Sequence, residues 1–359
     1  MRERIGIGII GGGMISQVAH LPFYFADPRC EVITVAESRP SLVSALGEQY
    51  RTARIVPHHR EILSDPRIDA VVIIGPRPSM APLALEALEA GKHVMMEKPM
   101  AHTAAQAAKL ITAAEAANLV LAVGFMKRYD PGVQAAQRVF AELRTSRRLG
   151  DLLLARFYDY SRNYVVPPPA HTRPKESRSE RFAEWPLWPE WLAESHRDTF
   201  AWFVNAASHD LNLVNFFFAD PIDVVSAFSR SNGAVLATLS AGHIPIELEV
   251  TKSAIGVWRE GVELLYENGR LAVAIPSPMA ADQCARVVLE ENVGGAKRTV
   301  VETGSGWSFA HQATGFLDVL SGQSEPMTGG KDGLRDLQLC ERIWRRISGK
   351  HDERPRQDP

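Results

Sequence analysis

Lys98 and His209 are the side chains best suited, by type and context, to hold and move a proton in this sequence. Lys98 stands in Glu97-Lys98-Pro99, directly after the apolar run Lys92-His-Val-Met-Met96. A lysine there faces the crevice beyond the carboxyl end of a strand. It can hydrogen-bond a hydroxyl oxygen, stabilise developing negative charge and help relay a proton. His209 lies in Asn205-Ala-Ala-Ser-His209-Asp210-Leu-Asn212. An imidazole is the natural acid/base for interconverting an alcohol and a ketone. Asn205 precedes it by one helical turn, so a helix puts both on one face. Taken singly, Glu-Lys-Pro after a strand is usually a solvated turn, and a lone histidine is more often structural than catalytic.

The framework for these groups begins at Ile5-Gly-Ile-Gly-Ile-Ile10, a short apolar strand that breaks into Gly11-Gly-Gly13-Met14-Ile15-Ser16. Gly11, Gly13 and Ser16 form a G-x-G-x-x-S version of the dinucleotide fingerprint. The first glycine permits a tight turn, the second lets backbone approach a pyrophosphate, and a small third residue lets helix pack on strand. The amides opening the helix, at Met14 and Ile15, face the phosphates. Glu37 closes the next apolar run, Glu31–Ala36, at about the 20-residue distance where a carboxylate accepts from a ribose 2′-hydroxyl. That favours NAD. Arg39, just past Ser38, can accommodate a 2′-phosphate and leaves NADP open. Gly75-Pro76 and Glu97 end later strands beside the same crevice and complete the expected cofactor contacts.

A chain of 359 residues exceeds one ordinary core, so about two domains are expected. Lys and Arg total 40 against 42 Asp and Glu, with no long basic block, which argues against nucleic acid. Cys30, Cys284 and Cys340 are few and scattered, as in reduced cytoplasmic proteins. The N-terminus leads directly into a strand, so no signal peptide is expected, and no apolar run has the length of a membrane span. The His58-His59 pair and the scattered cysteines have no metal-ligand spacing, so no metal is expected.

After the two strands above, Ala53–Val56, Asp69–Ile74, Lys92–Met96 and Leu119–Val123 continue an alternation with helices near Ala81–Ala90 and from Thr103. This is the pattern of a doubly wound parallel sheet, placed in residues 1–125. From residue 126 to 349 the pattern changes. Strands read at Leu152–Tyr160, Val224–Phe228, Val235–Ser240, Glu247–Gly256, Glu263–Tyr266, Leu271–Ile275, Arg286–Leu289 and Thr299–Val301, with Asn268-Gly269 as a hairpin turn. Helices read at Ser208–Phe218 and Gly333–Ile347. The expectation is an α+β domain with a large, mostly antiparallel open sheet, its last helix packing back on the first domain. Residues 350–359 read as a flexible tail.

These strings resemble the glucose–fructose oxidoreductase/inositol dehydrogenase/MocA (Gfo/Idh/MocA) family of nicotinamide-dependent oxidoreductases. The resemblance rests on the glycine loop, Glu37, Asp69-Ala-Val-Val-Ile-Ile-Gly-Pro76, Gly124-Phe-Met-Lys-Arg-Tyr-Asp-Pro131 and Ser208-His-Asp-Leu-Asn-Leu213. Its most specific string is Ala90-Gly-Lys-His-Val-Met-Met-Glu-Lys-Pro99. It implies that Lys98 and His209 occupy the catalytic lysine and histidine positions, and that the Lys98–Pro99 bond is cis. It also implies a homo-oligomer, dimer or tetramer, formed through the C-terminal sheet. Two positions depart from the pattern. Asn205 stands where many relatives carry an aspartate, and Met80 where a histidine is common. An Asn can hold a hydroxyl but cannot take a proton.

The combined reading is a cytoplasmic NAD(P)-dependent dehydrogenase or reductase acting on a secondary hydroxyl of a sugar, inositol or related polyol. His209 moves the proton, Lys98 polarises the oxygen, and Asn205, Arg128 and Trp202 position the ring. The Pro- and Trp-rich stretch from Tyr164 to Trp202 is either an aromatic platform for a sugar or a second small core. Two alternatives use the same fold: a nonenzymatic dinucleotide-binding sensor, and an enzyme that keeps its cofactor bound for glycoside cleavage or substrate-to-substrate hydride exchange.

Overall fold

The computed structural model describes residues 4–160, 166–230, 233–253 and 256–350. The first sheet holds β1 (Ile5–Ile10), β2 (Cys30–Ala36), β3 (Arg54–Val56), β4 (Ala70–Ile73), β5 (His93–Met96) and β6 (Leu121–Val123) in the order β3-β2-β1-β4-β5-β6. Every pairing within it is parallel. Every residue of β4 is buried, as its unbroken apolar run requires for a strand covered on both faces. The winding reverses between β1 and β4, which opens a crevice beyond their carboxyl ends.

Helices α1 (Leu21–Ala26), α2 (Pro40–Gln49), α3 (Arg60–Leu63), α4 (Arg77–Glu89) and α5 (Ala104–Ala116) connect these strands. A π-helical turn at Ser16–His20 runs into α1. Thr103 caps α5 by accepting from the Gln106 amide, and Pro stands in the first turn of α1, α2 and α4, where no amide partner is lost.

The second sheet holds β7 (Leu152–Asp159), β8 (Ile222–Arg230), β9 (Ala234–Ala241), β10 (Ile244–Thr251), β11 (Glu260–Tyr266), β12 (Gly269–Ile275), β13 (Arg286–Asn292) and β14 (Ala296–Val300). Its order is β14-β13-β12-β11-β7-β10-β9-β8. Within this sheet only β7 and β10 pair in parallel among the described strands. Helices α6 (Pro131–Ser146), α7 (Arg197–Ala206), α8 (Ser208–Phe217), α9 (Ser308–Leu320) and α10 (Gly330–Ile347) complete the chain. One face of the sheet meets α6, α8 and α10, with Phe140, Phe157, Phe217 and Phe218 interlocked edge to face or tilted. Helix α10 also packs on α5 and β6, so the end of the chain ties the two sheets together.

The other face is open. Across it Arg156 pairs with Glu249, Arg270 with Glu263 and Glu290, and Arg298 with Glu290. Phe228 and Leu236 sit opposite each other there, 59% and 44% exposed.

The hairpin differs from the sequence reading by one residue. Glu267 and Asn268 make the turn, while Gly269 already pairs with Tyr266 on β12. Gly269 is small because a Cβ would collide with the Glu290 carbonyl oxygen and Leu149, a packing demand rather than a turn demand. Helices α6, α7 and α9 were not among the elements read from sequence. Residues 351–359 lie outside the described residues, as do parts of the Tyr164–Trp202 and Glu247–Gly256 stretches.

Gly11 has φ +104°, and a Cβ on it would overlap the Ile74 carbonyl oxygen of the neighbouring strand end. Gly11→Ala is expected to lose at least about 2 kcal/mol of unfolding free energy in urea titration. An unchanged midpoint would show that the strand ends can part at no cost.

Candidate functional site

The carboxyl ends of β1, β4, β5 and β7 converge on a cavity of about 680 Å³. Met14 and Ile15 enter it from the glycine loop, Ile74 and Gly75 from β4, and Glu97 and Lys98 from β5. Across from them stand Trp202, Asn205 and His209, on α7 and α8. The sequence-predicted pair therefore lines one cavity, Lys98 from the β5 side and His209 from the α8 side, with Asn205 also lining it.

The Lys98–Pro99 peptide bond is cis, in keeping with the resemblance. Its Nζ donates to the backbone carbonyl of Asn205 at 3.0 Å. Burial lowers its pKa to about 8. Glu97 opposes this shift, while Lys127 and Arg77 add to it. Glu97 is itself fixed: Oε1 meets His20 Nε2 at 2.8 Å, and Oε2 accepts from the Lys98 amide at 3.2 Å. His209 is 7% exposed in the first turn of α8, and its ring stands edge-on to Phe125. Burial holds its pKa well below the ordinary histidine value, with Lys98 and Lys127 pushing the same way. The imidazole is thus neutral at physiological pH. Its Nδ1 is buried without a partner among the described residues, which leaves Nε2 to serve the cavity.

Sequence reasoning missed the opposite wall. Lys127, Asp159 and Trp258 line the cavity, and Lys127 pairs with the fully buried Glu260. Burial works against the Lys127 charge, but Glu260, Asp210 and Asp159 together raise its pKa. Glu260 is pushed up to about 7, chiefly by burial and against the pull of Lys127. Trp258 Nε1 donates to Glu260 Oε2 at 3.2 Å. Two signals were available: Lys127 adjoins the residue chosen instead, and Asp159 sits at the carboxyl end of a strand that was read correctly.

Arg128, the residue chosen instead, is not part of the cavity. The 3-10 turn Met126–Tyr129 sends it the other way, where Nη1 donates to Asp332 Oδ1 at 2.8 Å and Nη2 to the Asn212 carbonyl at 3.2 Å. Its guanidinium lies over the Phe216 ring, so it joins α8 to α10. Met80 does line the cavity. Of the tryptophans in the inserted stretch, Trp202 faces the cavity under the Lys252 ammonium. Trp185, Trp188 and Trp191 pack against the core instead and carry Lys109, Arg197 and Arg345 on their rings.

The glycine loop fits a dinucleotide phosphate. Gly11 and Gly12 are packed against protein, but a Cβ on Gly13 would meet only Arg39 Nη2, at 3.9 Å. Gly13 is therefore the open cradle that close approach of a pyrophosphate requires. Pro76 caps α4 and sets Arg77 at the cavity. Glu37 is placed where the fingerprint puts it, yet is fully buried. Five donors already occupy its oxygens: the amides of Gly12, Ser38 and Arg39, and Arg39 Nε and Nη2. Although burial opposes it, the Arg39 and Arg178 charges and these bonds keep its pKa low. Ser38 turns its hydroxyl toward the insertion, accepting from the Glu180 amide.

Among the described residues no group of three His, Cys, Asp or Glu could hold a metal ion. His59 is instead clasped between Glu180 and Glu86, at 2.7 and 2.9 Å. No helix among the described residues is long and apolar enough to cross a membrane.

Residues 5–125 match the Gfo/Idh/MocA oxidoreductase family model, NAD-binding Rossmann fold. The chain is 26% identical over 286 residues to the inositol 2-dehydrogenase of Acidothermus cellulolyticus, an alignment covering 77% of this chain and 74% of that one. The aldose-aldose oxidoreductase of Caulobacter crescentus, solved with glycerol, shares the fold with a TM-score of 0.71 at 22% identity, over 97% and 98% of the two chains. A lysine mutant of a 3-ketoreductase from Actinomadura kijaniata, solved with TDP-benzene and NADP, superposes with a TM-score of 0.70 at 20% identity, over 95% and 96%. With its glycine cradle, its strand order and these matches, residues 5–125 form an NAD-binding Rossmann domain of the Gfo/Idh/MocA kind, and the chain is an NAD(P)-binding oxidoreductase.

Proposed function

We propose that this protein interconverts a secondary hydroxyl and a ketone on a sugar, inositol or related polyol. One observation carries it: a lysine of lowered pKa and a neutral histidine line one cavity beside the glycine loop. The names of relatives that act on inositol and aldoses support this substrate class. Bound NAD(P) supplies the hydride acceptor or donor. Lys98 as an ammonium hydrogen-bonds the substrate oxygen and stabilises the charge that develops on it. His209 Nε2 takes the hydroxyl proton in oxidation and returns it in reduction. The Asn205 amide and the Trp202 ring hold the substrate, while Lys127 and Asp159 offer a donor and an acceptor to its other hydroxyls.

In this proposal residues 1–125 bind the dinucleotide and residues 126–349 supply the substrate wall. The open face of the second sheet, with exposed Val225, Phe228 and Leu236, is the surface for a homo-oligomer. Three unpaired cysteines among the described residues suit a reducing cytoplasm.

A panel of sugars, inositols and sugar acids, assayed with NAD and NADP by absorbance of the reduced nicotinamide, tests the reaction class. Turnover of a cyclic polyol or sugar is the expected result; silence across the panel with dinucleotide binding confirmed would favour the sensor.

Lys98→Met should lower kcat by about 100-fold or more, with dinucleotide affinity little changed. Near-normal turnover would remove the lysine from the chemistry. Because Lys98 acts with its proton on, kcat/KM should fall as pH rises through about 8, where that proton is lost. The acid limb, where His209 gains a proton, should lie below the ordinary histidine range and vanish in His209→Ala. Gly13→Val should melt within about 0.5 kcal/mol of wild type yet bind dinucleotide poorly in calorimetry; intact binding would mean the phosphates lie elsewhere.

A further inference from the structure

With five donors on roughly four lone-pair sites, Glu37 has no acceptor left for a ribose hydroxyl. It serves instead as an anchor that fixes the Arg39 guanidinium beside Gly13. A second cation reaches the same place from the insertion. Residues 171–186 cross the carboxyl edge of the first sheet and are tied down along it. Thr172 exchanges hydrogen bonds with the Gln17 side chain, at 3.0 and 2.8 Å. Glu176 Oε1 accepts from the Ser41 amide at 2.6 Å, and the Glu180 amide donates to Ser38 Oγ at 3.2 Å.

Arg178 stands between these ties. Its guanidinium lies 5.0 Å from the Phe182 ring centroid, and Nη2 is 3.8 Å from Glu37 Oε2. Its Nη1 is buried and has no hydrogen-bond partner among the described residues. Two guanidinium groups thus share one carboxylate. Two further carboxylates face them: Glu176, whose Oε1 accepts from the Ser41 amide, and Glu180, whose Oε1 serves His59 and whose Oε2 has no hydrogen-bond partner among the described residues; neither makes a hydrogen bond to Arg178. A buried cationic donor without a partner is costly until an anion completes it. Planar guanidinium forks suit a phosphate in particular.

We propose that Arg178 and Arg39 form a two-sided clamp for the 2′-phosphate of NADP, so that the insertion as well as the loop after β2 selects NADP over NAD. The clamp rests on dinucleotide binding at the glycine loop. NAD, lacking the phosphate, leaves the Arg178 Nη1 donor without an acceptor.

Calorimetric titration of the full chain with NADP, NAD, adenosine 2′,5′-bisphosphate and adenosine 5′-monophosphate tests this without turnover. Wild type should bind NADP and the bisphosphate at least about 10-fold tighter than their counterparts without the 2′-phosphate. Arg178→Gln should weaken both by about 10- to 100-fold while changing NAD and the monophosphate less than about 3-fold. Retained NAD binding also reports that the variant is folded. Arg178→Lys, which keeps the charge but not the fork, should recover part of the loss. Equal or tighter NAD binding in wild type, or an unchanged NADP Kd in Arg178→Gln, overturns the clamp and leaves dinucleotide binding intact. Binding of neither dinucleotide overturns both.

Discussion

The hydrogen bond from Lys98 Nζ to the Asn205 carbonyl joins the two halves of the site, and the rest of the cavity is arranged around it. Asn205 lies in the last turn of α7, where carbonyls lack helical partners and the helix dipole is negative. A cation is favoured there. One end of the bond is set by the parallel sheet, through β5 and the Glu97–His20 contact behind it. The other end is set by α7, which packs on α8, the helix that meets β7 of the second sheet. The lysine is therefore held between units that are distant in sequence, close to the imidazole that follows in α8.

The charges of the far wall need a different explanation. Lys127, Glu260, Asp210 and Asp159 are buried together, and such groups are expensive to desolvate even when paired. Replacing them with apolar side chains would make a tighter core, so stability does not account for them. Lys127 and Asp159 line the cavity with Glu260 paired behind Lys127, and the proposed reading accounts for them, because each hydroxyl of a polyol would need a partner once water is displaced. Arg128, one residue from Lys127, shows the contrast. It meets Asp332, two carbonyls and an aromatic face, and joins α8 to α10.

The insertion divides in the same way. Its tryptophans at 185, 188 and 191 hold it against the core, while Trp202 reaches the cavity. Its polar residues bind the loops of the first sheet at Gln17, Ser38, Ser41 and His59. A segment inserted between β7 and β8 of the second sheet thus forms part of the crevice at the carboxyl edge of the first. That is where chemistry in such a fold must take place.

The sequence by itself determined what depends on neighbours along the chain. Period, glycine placement and strand-end motifs made the parallel sheet, the glycine cradle, Lys98 and His209 legible, because strand burial and tight turns are local demands. The second sheet was legible as alternating strands; α6, α7 and α9 were not read, although Asp130 followed by Pro131 is a helix-start signal for α6. Gly269 was misread as a turn residue because only the facing strand shows why it must be small. The choice between Lys127 and Arg128 could not be read, since a single 3-10 turn sends adjacent side chains to opposite sides. Glu37 looked like a free carboxylate until Arg39, the loop amides and the distant Arg178 were seen around it. Only the tertiary structure decided these points, because side-chain direction and the occupancy of hydrogen-bonding groups are set by contacts between residues far apart in the chain.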